Sequence, residues 1–122
     1  MHDKLKEGKL TGIVAYYQKE PVGFIEAFSL DIASKLGFIV SGINTGGLMI
    51  TCLSVRTEVS GYGVGSELIR KLEKEAQKKN FKTLEILSFP DSHNWQPLSL
   101  YKKQGFKEVK NIGELTLLKK SI

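Results

Sequence analysis

Apolar and polar positions divide this 122-residue chain into short elements. Residues 10–18 are rich in β-formers, among them Ile13, Val14, Tyr16 and Tyr17. Lys19-Glu20-Pro21 reads as a turn and residues 22–29 as a second strand, which together predict an antiparallel hairpin. Residues 31–35 form a polar connection or one helical turn. Residues 36–40 are a candidate short strand and 41–47 a loop. Residues 48–55 are strongly apolar, the pattern of a central strand covered on both faces. After a glycine-rich turn, Val64, Leu68, Leu72 and Ala76 recur at four-residue spacing with Ile69 beside them. That stripe predicts an amphipathic helix ending near residues 79–80, with lysines where the helix dipole favours cations. Residues 83–89 form another apolar strand. The strand-helix-strand order over residues 48–89 implies a parallel pair joined by a crossover helix. Pro97 suits the first turn of a short helix that Gly105 terminates. Residues 106–109 and 114–118 then close the chain as a hairpin around Asn111-Ile112-Gly113. The predicted fold class is α/β, a mixed sheet antiparallel at its ends with a central parallel strand-helix-strand unit.

Composition keeps this picture to one domain, residues 1–122. Apolar residues make up 41% and charged residues 25% of the chain, so folded structure is expected nearly throughout. No internal repeat is present. Cys52 is the single cysteine; it cannot form an internal disulfide, and nothing argues for secretion. Residues 1–10 alternate charges and lack the apolar core of a signal peptide. A cytoplasmic location is the expectation. Residues 36–55 carry no charge and approach the length of a membrane span. Gly37, Gly42, Gly46 and Gly47, with Asn44 and Thr45, instead punctuate them into two strands around a turn, so no membrane partner is expected. The net charge is +5, concentrated in Arg70, Lys71, Lys74, Lys78, Lys79, Lys102, Lys103, Lys119 and Lys120. Such a balance favours anionic partners, either nucleic acid or a phosphate-rich cofactor. For each lysine alone a solvated helix face is the better default reading, and no aromatic-rich basic motif argues for nucleic acid.

The candidate chemistry starts at Ser60-Gly61-Tyr62-Gly63-Val64-Gly65-Ser66. A strand, a glycine turn and a helix present free N–H groups at the positive end of the macrodipole, where phosphate binds. Gly61, Gly63 and Gly65 leave the backbone open to a ligand and Ser66 adds a hydroxyl; a tight turn needing positive φ is the alternative. A Walker loop would end in Gly-Lys-Ser/Thr, whereas this chain has Gly65-Ser66-Glu67. A dinucleotide fingerprint would need glycine at Ser66 and an acidic residue at a strand end, whereas Glu85 falls in mid-strand.

Residues 55–68 resemble the pyrophosphate motif of the GNAT superfamily of N-acetyltransferases, Arg/Gln-x-x-Gly-x-Gly/Ala between a central strand and a long helix. Gly63 and Gly65 match its two small positions; Ser60 stands where Arg or Gln is usual, which implies weakened phosphate binding. Asn94, then Leu100-Tyr101, then Gly105-Phe106 is similar to the family's second landmark, with Pro97 in place of its usual Ala. The resemblance spans residues 22–118. It implies acetyl-CoA as acyl donor, lying like an extra strand where the strand at 48–55 parts from that at 83–89. Leu53 and Val55 would supply backbone hydrogen bonds, one polarising the acyl carbonyl. Ser60, Gly61, Tyr62, Gly63, Val64, Gly65 and Ser66 would hold the pyrophosphate, Asn94 would bond the pantetheine arm, and Tyr101 would protonate the departing thiolate. Core packing is the competing reading of Tyr101.

An attacking amine must lose a proton. Glu26 is the first candidate base: two-residue alternation puts it on one strand face with Phe24 and Phe28, and apolar surroundings favour a carboxyl pKa nearer neutrality. A sheet-edge charge or an ion pair is the competing reading. His93 is the second candidate, and some family members use only water. Cys52 reads as a buried strand residue rather than a nucleophile, and no Cys/His cluster suggests a metal. The family's domains begin with a strand and two helices that wall the acceptor site, where this sequence has about nine polar residues. Acceptor recognition is thus expected to be reduced, supplied by a neighbouring subunit in a homodimer, or lost in a truncated chain; a monomer is equally allowed. The activity implied is acyl transfer, acetyl foremost, from CoA to a primary amine. The alternatives are a non-catalytic CoA-binding or sensor module on the same fold and a basic nucleic-acid-binding domain.

Overall fold

The computed structural model describes residues 10–42, 46–56, 59, 61–88 and 98–122. Strands β1 (Leu10–Tyr17) and β2 (Glu20–Ser29) form the first hairpin, and α1 (Leu30–Lys35) follows directly. Next come β3 (Gly47–Val55), α2 (Val64–Lys78), β4 (Thr83–Ser88) and α3 (Leu98–Lys103). The closing hairpin is β5 (Lys107–Ile112) and β6 (Leu115–Ser121). These strands make one mixed sheet in the order β1-β2-β3-β4-β6-β5. Only β3 and β4 pair in parallel among the described strands, joined through α2 as the sequence predicts.

Three local expectations shift. The first turn is Gln18-Lys19, both at positive φ (50° and 68°), the two-residue geometry whose twist suits a hairpin. Glu20 and Pro21 therefore belong to β2, and Pro21 sits opposite Tyr16 beside a register irregularity, where a missing N–H is tolerated. Residues 36–40 are not a strand. They leave α1 through a turn, and Phe38 and Val40 pack onto the sheet instead. The next residue, Ser41, is held by the buried Glu85 carboxylate, which accepts from its amide at 2.9 Å and from its hydroxyl. The last turn is Gly113-Glu114, so Asn111 and Ile112 extend β5.

Each face of the sheet carries a core. Ile25, Leu48, Ile50, Leu84 and Ile86 pack against Leu68, Ile69 and Leu72 of α2. Each of those three helix side chains is fully buried, worth roughly 2 kcal/mol apiece in transfer free energy. Glu73 of α2 and Lys120 of β6 add an ion pair at 2.9 Å, both side chains only about a fifth exposed (21% and 22%). On the opposite face, Leu30 and Ala33 of α1 cover Met49 and Leu117. α1 can lie this close because Gly47 has no side chain. A Cβ there would collide with the Thr83 hydroxyl and stand 2.8 Å from Leu30 Cδ1. Gly47→Ala is therefore expected to destabilise the fold by about 1–3 kcal/mol through overpacking, read as a lower midpoint in urea.

Candidate active site

The parallel pairing of β3 and β4 runs from Gly47↔Thr83 to Ile50↔Ile86 and stops there. β3 nevertheless continues to Val55 and β4 to Ser88. The break coincides with a bulge in β3. Its register against β2 passes from Glu26↔Cys52 to Ala27↔Ile50, leaving Thr51 as the extra residue. A bulge bends its strand and strengthens the twist, which accounts for β3 leaving its neighbour at this point.

The free edge of β3 carries usable hydrogen-bonding groups. The Arg56 N–H donates to the Val22 carbonyl at 2.8 Å, so Gly23↔Val55 is the wide, non-hydrogen-bonded kind of pair. By strand alternation Ser54 and Cys52 direct their N–H and C=O groups toward β2, whereas Val55 and Leu53 direct theirs away, into the gap. These are the two residues for which the family resemblance implies backbone contacts. Their side chains meanwhile pack beneath α2.

α2 starts beside the same strand end. Its N-cap is Gly63 at φ 81°, with no side-chain cap, a conformation that costs an L-residue about 1–2 kcal/mol. The first helical bond runs from the Glu67 N–H to the Gly63 carbonyl at 3.0 Å. The N–H groups of Val64, Gly65 and Ser66 therefore have no intrahelical acceptor and remain at the positive end of the dipole. A side chain on Gly65 would project toward Leu100 at 3.5 Å and Val55 at 3.8 Å. The helix start, the β3 terminus and α3 thus converge. Gly61 and Gly63 border open space. The Tyr62 N–H is already taken by the Val59 carbonyl at 3.1 Å, and its ring is exposed, so Tyr62 offers no free donor to the cradle.

Tyr101 of α3 reaches this region from the core. It is fully buried and stacks edge-to-face on Phe106, with centroids 5.5 Å apart and an interplanar angle of 78°. Its hydroxyl has no hydrogen-bond partner among the described residues. Burial pushes the phenol pKa well above its usual range, and the nearby Cys52 sulfur adds to the rise. Cys52 is itself pushed up, by burial first and then by the Glu26 carboxylate. A thiol held protonated in this way is a poor nucleophile; Cys52 is a strand residue as expected, but half-buried rather than buried.

Glu26 lies on the face of β2 away from α2, opposite Cys52 in register and half-buried. Thr51 Oγ1 lies 3.0 Å from Glu26 Oε1 and donates to it. Among the described residues no cation forms an ion pair with Glu26. Thr51 escaped the sequence reading, although a trace of it exists. Leu48 and Ile50 share the α2 face with Leu53 and Val55, a change of parity that requires one inserted residue. In a run this uniformly apolar the change is hidden.

The structure thus brings Leu53, Val55, Val64, Gly65, Ser66, Tyr101 and Glu26 around one strand parting. Ser60, His93 and Asn94 lie outside the described residues. A groove of about 510 Å³ runs between β1 and α2, lined by Ile13, Tyr16, Val22, Tyr62, Gly63 and Val64, and so reaches the start of α2. It meets α2 on its β1 side, whereas Gly65 faces the parting. No described helix is long and apolar enough to cross a membrane.

Known structures share this architecture. The PaiA N-acetyltransferase of Thermoplasma acidophilum, solved with coenzyme A, superposes with a TM-score of 0.73 at 20% identity over 93% of this chain. An aminoglycoside 6'-N-acetyltransferase complexed with coenzyme A gives 0.73 at 18% identity over 97%. An acetyltransferase of Bacillus cereus gives 0.73 at 19% over 100%. The chain spans 62% of the length of the first of these, 76% of the second and 80% of the third. At such identities the likeness establishes the fold. No curated protein sequence matches the chain significantly. The sequence profile described as the acetyltransferase (GNAT) family matches residues 1–106, and the chain belongs to that family.

Proposed function

We propose that this chain, as one domain over residues 1–122, is an acetyl-CoA-dependent N-acetyltransferase acting on an amine. The observation that carries the reading is the buried, unpartnered Tyr101 hydroxyl beside the parting of β3 and β4. A polar group left unsatisfied in a core is costly unless a ligand completes it. A thioester lying in the parting supplies that partner. The residues present fit the donor. The N–H groups of Val64, Gly65 and Ser66 receive its pyrophosphate, and Leu53 and Val55 bond its pantetheine arm and acyl carbonyl as an added strand would. Asn94 is assigned to the same arm by its motif. Ser60, in place of Arg or Gln, removes a side-chain contact at the pyrophosphate and leaves the backbone donors.

Glu26 takes the amine proton. A half-buried carboxylate without a cation partner among the described residues suits a positively charged amine, which it first attracts and then deprotonates. Tyr101 gives its proton to the departing thiolate. Acetyl is the acyl group favoured, and a primary amine the acceptor.

The test is release of free thiol from acetyl-CoA across a panel of primary amines. Turnover above the rate without amine supports the enzyme; binding of CoA without turnover supports the non-catalytic module. Glu26→Gln keeps the size of the side chain but cannot accept the proton. It is expected to lower kcat about a hundredfold with the acetyl-CoA KM unchanged. Full activity would transfer the role to His93 or to water.

A further inference from the structure

We propose that Thr51, the extra residue of the β3 bulge, is a positioning residue for Glu26, a role that rests on the reading of Glu26 as the base. A regular strand would show Glu26 only every second residue of β3. The bulge instead gives this face two consecutive residues, Thr51 and Cys52: Cys52 pairs with Glu26 in register and Thr51 reaches back to it. The same bulge begins the parting of β3 from β4, which is where the donor lies in the proposed function. One backbone irregularity thus opens the donor site and delivers a hydroxyl to the base.

The chemistry of that hydroxyl is specific. Thr51 Oγ1 stands 3.0 Å from Glu26 Oε1 and 3.4 Å from the Glu26 carbonyl oxygen. It has one proton to give, and the shorter contact and the charged acceptor both favour the carboxylate. Glutamate has three rotatable χ angles, and a flexible carboxylate spends little time in any one place. The Thr51 bond holds Oε1 and leaves Oε2, which has no hydrogen-bond partner among the described residues, as the oxygen that meets the amine. Threonine suits the position because its β-branched side chain restricts χ1, so the donor is itself held still. Positioning of this kind acts on the geometry of proton removal, not on donor binding.

Two variants of one residue separate the hydroxyl from the packing. Thr51→Val keeps the branched shape and removes the donor; Thr51→Ser keeps the donor and removes a methyl. Thr51→Val is expected to lower kcat about tenfold and raise the amine KM, leaving the acetyl-CoA KM unchanged, whereas Thr51→Ser stays within about twofold of the parent. In a Glu26→Gln background, Thr51→Val should cost almost nothing more, because the group it positions is gone. If Glu26→Gln is impaired while Thr51→Val alone is fully active, the positioning role is refuted and the base stands. If both Thr51 variants lose activity equally, or the acetyl-CoA KM rises with the loss, Thr51 serves the shape of the bulge and the proposal is wrong. If Glu26→Gln is fully active, the base and the proposal both fall.

Discussion

Acetyl-CoA at a hundred times its dissociation constant is expected to raise the melting temperature by roughly 10 °C. Binding to the native state alone contributes about 2.7 kcal/mol at that saturation. For a domain of this size each kcal/mol shifts the midpoint by about 3–5 °C. The source of the affinity can be divided. The N–H groups of Val64, Gly65 and Ser66 have no intrahelical acceptors, and in the proposed function a pyrophosphate satisfies them, not a thiol or an amide. Pantetheine, which lacks the diphosphate, should therefore give little or no shift at the same concentration. CoA should retain most of the shift, because the acetyl group adds only its carbonyl contact at the β3 edge. A protein whose melting temperature is unmoved by millimolar acetyl-CoA would not be the enzyme proposed, since neither the helix start nor the strand parting would then hold the donor.

Different parts of this arrangement were legible to different degrees. The helix stripe of Val64, Leu68, Leu72 and Ala76 and the strand-helix-strand order around it are long-range regularities. Burial enforces them, so they read directly from the chain. The glycine turn was legible as a turn leading into a helix start, and Gly61 and Gly63 take the positive φ that favours glycine; its use as a phosphate cradle belongs to the proposed function. Tyr62 shows the limit: which N–H groups a turn consumes depends on backbone bonds that composition does not encode. The bulge at Thr51 was not legible. Its only trace is a parity change within residues that are apolar on both faces, where either register buries similar side chains. The segment at residues 36–40 misled for a related reason. Phe38 and Val40 are apolar because they cover the sheet beside α1, and apolar composition alone cannot separate covering a sheet from joining one. The turns moved by one or two residues, as at Gln18-Lys19, because turn geometry overrode the preference for Pro21 as a turn residue.

Tyr101→Phe is expected to make the protein more stable and the enzyme on the order of a hundredfold slower. The two effects have one cause. The hydroxyl is buried without a partner among the described residues, and such a group costs about 1–3 kcal/mol. Phenylalanine keeps the ring that packs edge-to-face on Phe106 and removes the unsatisfied oxygen. The gain should be about 1 kcal/mol without ligand, seen as a melting temperature a few degrees higher. In the proposed function the same oxygen carries the proton that the departing thiolate needs, and general acids of this kind contribute about 10²–10⁴ in rate. Acetyl-CoA affinity should change little, because the bond strengthens only as charge develops on sulfur. The pH dependence follows from the raised phenol pKa, caused by burial and then by Cys52. Below the unfolded-state value of about 10, the phenol is protonated in both states and its contribution to stability is constant. Above about pH 10 the unfolded phenol ionises while the folded one keeps its proton, so stability falls with rising pH. Tyr101→Phe should remove that part of the alkaline loss. Catalysis should show no falling limb from Tyr101 ionisation below pH 10. A Phe variant that is less stable than the parent and turns over at the parent rate would show that the hydroxyl has a protein partner and no part in the chemistry.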